Sequence, residues 1–277
     1  MAVAFLLAIL FITIIVVYLF LAHPWWFPAG ASSIAATVDG HFKVAFLLVG
    51  ILFVSGQLLL AASLLSSRQK RSQKNLTPSG NKPNLSGNWR LEALWTVGIT
   101  CLFVWFNASG ERLWSEITVR DLNAEKIEIE VTGTQFQWYF RYPGADGAFG
   151  RTDPQRWAKP DEGNPLGMDP NDDAGRDDIV STTLMLPQGR DIDFTLKAFD
   201  VIHSMFIPAM RFKQDTVPGM IGHAHFRPTE AGSYEMVCSQ LCGLGHYRMR
   251  ATVKVVSEQD FKRWLNSMAQ PKETTAQ

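Results

Sequence analysis

The sequence predicts three N-terminal transmembrane α-helices followed by an all-β sandwich domain. Two observations support this fold class. Residues 1–108 contain three long apolar runs, and beyond residue 109 short segments alternate between apolar and polar side chains. Many short alternating segments indicate a sandwich or a barrel. Nothing in the composition of the 277-residue chain, which has no net formal charge, indicates a nucleic-acid partner.

Each apolar run is long enough to cross the hydrocarbon core of a bilayer, which takes about 20 helical residues. The runs cover residues 2–22, 44–65 and 91–108, and the third is interrupted only by Glu92. A signal peptide is the alternative for the first run. That run lacks a basic start, however, and its apolar core exceeds the usual length of about 7 to 15 residues. We therefore expect three membrane helices.

The loops between the helices predict their orientation. Residues 66–90 contain six Lys and Arg and no acidic residue, whereas residues 23–43 contain one residue of each sign. Because loops rich in Lys and Arg stay on the cytoplasmic side, residues 109–277 are expected on the outer face. This outer part contains 19 Lys and Arg against 24 Asp and Glu, a net charge of −5. Such a charge would steer a basic protein partner towards it, or it serves solubility alone.

Strict alternation in residues 126–132 places Ile127, Ile129 and Val131 on one face of a first strand. Residues 136–142 have the same period and predict an aromatic-faced strand. Further strands fit residues 179–186, 192–198, 221–226, 233–237 and 251–256. Ser257 can cap a final helix. Residues 143–178 are rich in Gly, Pro and Asp, and predict an insert that is either ordered across a partner surface or disordered.

A dense group of metal-binding residue types lies in CSQLCGLGHYRM, residues 238–249. Cys238 and Cys242 could form a disulfide, because the outer face is oxidising. A zinc ion could instead use both cysteines, His246 and His203, which we expect to end the preceding strand. A blue-copper site would have one Cys too many, whereas two copper ions bridged by both sulfurs would also use Met249.

Several stretches resemble subunit II of the haem-copper oxidases, a family that carries the dinuclear copper centre called CuA. DVIHS (200–204), QDTVPG (214–219) and CSQLCGLGHYRM resemble its copper-binding loops. QWYF (137–140) resembles its aromatic stretch, and LEALWT (91–96) resembles its second membrane helix. The resemblance covers about residues 44–268 except the insert, and it implies a cupredoxin-like outer domain. We expect residues 1–43 to form an extra helix and outer loop, 44–108 a two-helix hairpin, and 109–277 the CuA domain.

The resemblance also implies the copper ligands: His203, Cys238, Cys242, His246, Met249 and the main-chain carbonyl of Gln240. The family usually has Glu at the carbonyl position, where the carboxylate helps to hold magnesium against subunit I. A neutral amide binds a hard cation less well than a carboxylate does. Gln240 therefore weakens the expectation of a magnesium site and leaves that of CuA intact.

Three further residues are given roles by the same resemblance. Trp138 matches the exposed tryptophan through which electrons enter, although its spacing alone favours a core aromatic. Glu92 matches a carboxylate at the mouth of a proton path in subunit I, with a place in the headgroup region as the alternative. Asp200 would belong to an acidic docking patch for cytochrome c, or would bond the local backbone.

The implied function is that of the electron-entry subunit of a cytochrome c oxidase. Such a subunit accepts electrons from cytochrome c and passes them to the haem of subunit I for oxygen reduction coupled to proton pumping. Its expected partners are subunit I, with its haem and CuB, and subunit III. The sequence has no CxxCH motif and hence no covalently attached haem. The donor would therefore be cytochrome c or a haem subunit of a partner respiratory complex.

The expected location is the bacterial plasma (inner) membrane, which the chain crosses several times, with the C-terminal domain on the periplasmic side. Two other functions stay open. One is the CuA subunit of a nitric oxide reductase, and the other is a membrane-tethered copper- or zinc-binding protein. Glu92 and the helical hairpin favour the oxidase over the tethered protein, because a tether needs one helix and no buried carboxylate.

Overall fold

The computed structural model describes residues 2–22, 28–74, 88–118, 126–157 and 163–269. The chain forms two compact units, Met1–Phe27 with Asp39–Glu111 and Pro28–Val38 with Arg112–Gln277. Pro28–Val38, which lie within the outer loop expected after the first helix and at the start of α2, are part of the outer unit. Most of the basic loop that predicts the orientation, residues 75–87, lies outside the described residues.

The membrane unit is helical, as predicted. Its helices are α1 Ala2–Ala22, α2 Ala35–Lys74 and α3 Trp89–Thr118. Each contains a stretch long and apolar enough to cross a bilayer. Most of their large apolar side chains are exposed, as expected of surfaces that face lipid or neighbouring helices.

The outer unit is a sandwich of two five-stranded sheets, which confirms the predicted fold class. The first sheet has the order β3-β2-β1-β5-β8 and the second β4-β10-β9-β6-β7. The pairs β1/β5 and β4/β10 are parallel, and the others are antiparallel. The strands are β1 Ile127–Thr134, β2 Gln137–Tyr142, β3 Ile179–Ser181, β4 Leu184–Pro187, β5 Ile192–Ala198, β6 His203–Ile207, β7 Phe212–Thr216, β8 Gly222–Phe226, β9 Gly232–Cys238 and β10 Arg250–Val256. Helix α4, Glu258–Ala269, follows them.

Three details differ from the sequence-based expectation. The strand predicted at residues 179–186 is divided into β3 and β4, which belong to different sheets. Strands β6 and β7 were not predicted, because β7 reads FKQDT and lacks a clear alternation. His203 begins β6 and does not end the preceding strand. The helix start was correct, since the Ser257 hydroxyl accepts a hydrogen bond from the Asp260 backbone N–H at 3.1 Å.

The insert at residues 143–178 covers part of the polar face of the first sheet. Arg141 on that face is 1% exposed. Its guanidinium donates hydrogen bonds to Glu130 on β1, to the backbone oxygen of Gly150 and to Asp178 at the end of the insert. Over its described residues, 143–157 and 163–178, the insert is therefore an ordered excursion across the sheet.

Residues 28–34, which we call the strap, pack against the end of the sandwich where β6 and β8 finish. The Ala31 N–H donates to the Ala209 oxygen at 2.8 Å, and the Ser33 N–H donates to the Arg227 oxygen at 2.8 Å. Ala31 and Ile34 are buried in the hydrophobic core of the sandwich. Residues 28–34, which precede α2, are thus a structural part of the outer domain.

Candidate metal centre

Four loops meet at one end of the sandwich, as the strand register requires. On the first sheet, Gly133 pairs with Trp138 and with Ala198, which places the β1–β2 turn beside the loop after β5. On the second sheet His203 pairs with Thr216, and Met205 pairs with Cys238. The β5–β6, β7–β8 and β9–β10 loops therefore also lie at this end.

The β9–β10 loop, residues 239–249, brings sulfur, imidazole and carbonyl groups together. The Sγ atoms of Cys238 and Cys242 are 3.8 Å apart. His246 Nδ1 lies 3.5 Å from Cys242 Sγ, and Met249 Sδ lies 3.7 Å from the same sulfur. The Gln240 carbonyl oxygen is 3.2 Å from Cys238 Sγ.

His203 completes the cluster from the start of β6. It is 0% exposed, and its Nδ1 lies 4.0 Å from Cys238 Sγ. Its Nε2 is 2.8 Å from Asp200 Oδ1, so the carboxylate fixes the ring with Nδ1 towards the sulfur atoms. A ring nitrogen that faces soft donors while the other bonds a carboxylate is the usual arrangement of a metal-binding histidine.

Backbone and side-chain hydrogen bonds tie these loops together. The Cys238 N–H donates to the Met249 oxygen at 3.0 Å, and this bond joins the two ends of the β9–β10 loop, which we call the ligand loop. Asp200 Oδ2 accepts from the Gln135 N–H at 2.6 Å, and the Gln135 side-chain amide donates to the Cys242 oxygen at 2.6 Å. Gln135, which the sequence did not single out, therefore links Asp200, the residue that orients His203, to the loop that carries Cys242.

The electrostatics of the cluster favour a thiolate next to an imidazolium. Burial alone lowers the pKa of His203, but its hydrogen bonds with Asp200 and Cys238 raise it to about 9. Burial raises the pKa of Cys238, yet His203 and nearby backbone groups lower it to about 6. Burial and the charge on Cys238 raise the pKa of Cys242 to about 12. A metal cation can displace the protons held in such a cluster.

The donor set favours one of the three chemistries that the sequence left open. Both cysteines are free, and a separation of 3.8 Å is far longer than a disulfide bond of about 2.05 Å. A zinc site would use the two thiolates and two imidazoles and leave the thioether idle. Met249 is 1% exposed and in contact with Cys242, so a soft thioether belongs to the cluster and copper fits it better.

Trp138 requires a correction, because the resemblance predicted an exposed side chain and the side chain is 0% exposed. It lies on β2 in the core, and its ring packs edge-on against His203 with 5.9 Å between ring centroids. The core position that its spacing favoured is the one observed. Trp138 therefore touches His203 from the inside of the domain, and its side chain is not accessible to an external donor.

Phe136 is the aromatic residue that lies against the ligand loop, and the sequence did not single it out. It is half-buried in the β1–β2 turn. A Cβ atom on Gly245 would approach its ring to 2.4 Å, so this glycine lets the ligand loop pack against the ring. The two glycines on either side of Leu244 are the sequence signal that could have indicated the close approach of another side chain to this loop.

The other predicted residues are placed as follows. Asp200 bonds its own loop, including the Val201 N–H at 2.7 Å, as the local alternative predicted. The side chain of Gln240 is exposed, and its carbonyl faces Cys238. Glu92 lies in the first turn of α3 in the membrane unit.

The fold and the cluster define a membrane-anchored sandwich protein with a buried group of sulfur and imidazole donors that could hold a metal ion, and comparisons identify its family. Residues 166–256 match the family model described as cytochrome c oxidase subunit II, periplasmic domain. The alternative cytochrome c oxidase subunit 2 of Bradyrhizobium diazoefficiens is 33% identical over 96% of this chain and 91% of its own. The subunit 2 of Cereibacter sphaeroides is 30% identical over 86% and 78% of the two chains.

Among solved structures, the periplasmic domain of subunit II (CoxB) of Bradyrhizobium japonicum is similar. It is 24% identical, with a TM-score of 0.39 over 53% of this chain and 96% of that one. The extent and identity of the sequence relatives decide the family. The chain belongs to the cytochrome c oxidase subunit II family, whose members are copper-binding parts of an oxidoreductase complex.

Proposed function

We propose that this chain is the electron-entry subunit of a cytochrome c oxidase, with a dinuclear copper centre at the end of its outer domain. The observation that carries the proposal is the inclusion of Met249 Sδ and the Gln240 carbonyl among the thiol and imidazole donors. A one-metal site with four strong ligands has no use for either. Two copper ions would be held by the two thiolates and the two imidazoles, with the thioether and the carbonyl available as weak additional ligands.

The chain's own residues would hold this centre rigidly. Two sulfurs and two imidazoles would bind the copper pair, which supplies a site that accepts and returns one electron at a time. Asp200 keeps His203 oriented through a 2.8 Å hydrogen bond, and Trp138 packs against the same ring. Burial of His203, Cys238, Cys242 and Met249 excludes water, so little rearrangement accompanies a change of charge.

The wider role follows from this assignment. The outer domain would receive electrons from cytochrome c, or from a haem subunit of a partner complex, and deliver them to the haem of subunit I. Subunits I and III would surround the membrane helices, with Glu92 at the entrance of a proton path. We place the complex in a bacterial plasma membrane with the sandwich on the periplasmic side. Because the side chain at residue 240 is a neutral amide, we propose no magnesium site.

The experiment that tests the copper centre is metal analysis with electron paramagnetic resonance on the purified full-length protein. Two coppers that share one unpaired electron would support the proposal. One zinc per chain, or one copper with a localised electron, would contradict it. Cys242→Ser should abolish the shared-electron signal. Cys101→Ser is the matched control, because Cys101 lies in α3 of the membrane unit and should leave the signal unchanged.

The second candidate function places the same copper domain in a nitric oxide reductase, whose difference lies in the catalytic subunit. Assays of oxygen and nitric oxide reduction by the intact complex separate the two. Oxygen consumption at a rate well above nitric oxide consumption supports the oxidase, and the reverse supports the reductase. A chain that purifies with copper but without a haem subunit would indicate a tethered metal-binding protein.

A further inference from the structure

We propose that the groove between α1 and α2 binds one phospholipid of the outer leaflet, with an acyl chain between the helices and a zwitterionic headgroup at Asp39 and Lys43. We call this groove and its two charged residues the lipid site. The inference goes beyond the proposed function and does not depend on it, because the lipid site belongs to the membrane unit and the proposed copper ligands belong to the outer unit. It also assigns a role to α1, which is additional to the two-helix hairpin.

The groove is lined by apolar side chains of both helices and has a volume of about 560 Å³. Phe20 on α1 and Phe46 on α2 meet at one end of it, with 5.4 Å between their ring centroids. From this contact the groove continues along α2 to Ser55. Apart from the backbone of its own helix, no heavy atom lies within 4 Å of the position that a Cβ atom on Gly50 would take. The two helices therefore leave a space between them, which a bilayer would fill with hydrocarbon or with another helix.

The depth of the groove matches one leaflet of a bilayer. The chain enters α2 from the outer unit, because Pro28–Val38 belongs to that unit, so Phe46 is nearer to the outer surface than Ser55 is. The helix rises by about 14 Å between these two residues. This is nearly half of a hydrocarbon core of about 30 Å. The groove therefore extends through the outer leaflet.

The side chains that line the groove favour an acyl chain over a helix of another subunit. Interfaces between membrane helices are enriched in small residues, which let two backbones approach closely. The lining residues of α1 are all larger: Val16, Val17, Phe20 and Leu21. Such side chains keep a second backbone at a distance, whereas a narrow and flexible hydrocarbon chain can pack among them. The occupant that fits this lining is a lipid.

Two charged residues at the outer end of the groove indicate the headgroup. Lys43 is exposed and is the last charged residue before the apolar run of α2. It precedes Leu47 by four residues and Gly50 by seven, so it lies on the same face of the helix as these two lining residues. Its long side chain can reach the headgroup region. Asp39 is one helical turn earlier, so a phosphate at Lys43 and an ammonium group at Asp39 would match the headgroup of phosphatidylethanolamine.

The first test is native mass spectrometry of the full-length protein in detergent, titrated separately with phosphatidylethanolamine, phosphatidylglycerol and diacylglycerol that carry identical acyl chains. One phosphatidylethanolamine should bind per chain, and more tightly than the other two lipids. Lys43→Gln should lower this affinity by about fivefold, the usual contribution of one lysine to lipid binding. Asp39→Asn should remove the preference over phosphatidylglycerol, because only the contact with the phosphate then remains.

The second test fills the groove. Gly50→Leu would place a side chain in the space for the acyl chain and should lower the affinity for all three lipids by about tenfold. Gly56→Leu is the matched control. Gly56 is also on α2 and also has open space where a Cβ atom would lie, but it does not line the groove. This variant should bind phosphatidylethanolamine as the wild type does.

The third test asks whether the lipid site is accessible in the intact oxidase. A phosphatidylethanolamine with a photoactivatable diazirine in its acyl chain would be added to the purified complex and cross-linked by light. Peptides that contain residues 16–21 and 46–55 should be labelled, and an excess of ordinary phosphatidylethanolamine should remove the label. A helix of another subunit in the groove would leave these peptides unlabelled.

Three results would each overturn the lipid site. They are unchanged binding in both Gly50→Leu and Lys43→Gln, equal affinity of the wild type for phosphatidylethanolamine and phosphatidylglycerol, or the absence of a label that ordinary lipid removes. If Gly50→Leu is not produced in the membrane, Lys43→Gln and Asp39→Asn decide through the lipid preference. Failure of the proposed function would look different, because the wild type would then bind the lipid but lack the shared-electron copper signal.

Discussion

His203 and Asp200 form a 2.8 Å contact between Nε2 and Oδ1, and this contact determines which ring nitrogen of the histidine is available to bind a metal. With Nε2–H donated to the carboxylate, Nδ1 faces Cys238 and is the nitrogen that would bind a metal once its proton is displaced. The same carboxylate accepts backbone N–H groups from Gln135 and Val201. One aspartate therefore positions the histidine and joins two of the four loops around the cluster.

Asp200→Ala should weaken copper binding by about 10- to 100-fold, the usual effect of removing the carboxylate partner of a metal-binding histidine. Asp200→Asn should recover part of the affinity, because the amide oxygen can still accept the Nε2 proton. Competition with a copper chelator measures the affinity, and the paramagnetic resonance spectrum reports the geometry. Glu235→Gln is the control, and equal affinity in Asp200→Ala and wild type would refute the positioning role.

Met249→Leu should retain both coppers but shift the reduction potential of the centre. Leucine fills a similar volume, so the buried site keeps its shape, while loss of the thioether removes a weak ligand that tunes the potential. Redox titration of the copper absorption bands measures the shift. Met236→Leu replaces another fully buried methionine, on β9, and should leave the potential unchanged. Complete loss of copper from Met249→Leu would contradict its assignment as a weak outer ligand.

The parts of the fold that follow from local pattern were predictable. The alternation of Ile127, Ile129 and Val131 correctly indicated β1, and a length of about 20 apolar residues indicated each membrane helix. Strand β7 was missed because its FKQDT sequence has no clear apolar alternation, although it forms a hairpin with β6 across residues 208–211, which include Pro208. A short polar strand is stabilised by its neighbours in the sheet more than by its own pattern.

The site was predictable where spacing within one loop sufficed, as for Cys238, Cys242, His246 and Met249. The sequence could not show which of two nearby aromatic residues, Phe136 or Trp138, lies beside the β9–β10 loop. Trp138 and Phe136 share the same period, and only the three-dimensional structure reveals that β2 begins at Gln137. Phe136 consequently lies in the turn beside the ligand loop, whereas Trp138 is in the core.

The strap should contribute directly to the stability of the outer domain. Ala31 is 2% exposed and its backbone pairs with Ala209 and Thr229. Ala31→Asp would place an unpaired carboxylate in the core and should destabilise the domain by more than about 3 kcal/mol. Denaturant unfolding of the full-length protein in detergent, followed by near-ultraviolet circular dichroism, measures this loss.

The matched control for the strap is Ala29→Asp, two residues earlier and exposed. It adds the same charge to the same segment but should change the stability by less than about 0.5 kcal/mol. Equal losses of stability in the two variants would mean that the burial of Ala31 does not contribute to the stability of the outer domain. Loss of stability only in Ala31→Asp would confirm that burial of the strap stabilises the sandwich.

Arg141→Met should be strongly destabilising at neutral pH, because it leaves Asp178 without its buried cation, whereas Glu130 keeps its ion pair with Lys197. Removal of one partner from a buried ion pair costs about 3–5 kcal/mol. Arg151→Met is the control, since Arg151 is a solvent-exposed member of surface ion pairs and such pairs contribute little. Unfolding in denaturant at pH 7 gives the comparison.

The cost of Arg141→Met should also depend on pH, in a direction that follows from Asp178. Burial raises the pKa of this carboxyl even though Arg141 opposes the shift, so removal of the cation should raise it further. A carboxyl with a raised pKa in the folded state destabilises the fold when ionised and stops doing so once protonated. The deficit of the variant should therefore shrink as the pH falls from 7 to about 4, near the pKa of an ordinary aspartate. In Arg141→Met/Asp178→Asn the deficit should be smaller and less dependent on pH. A deficit of equal size at both pH values would show that the insert is held by packing alone.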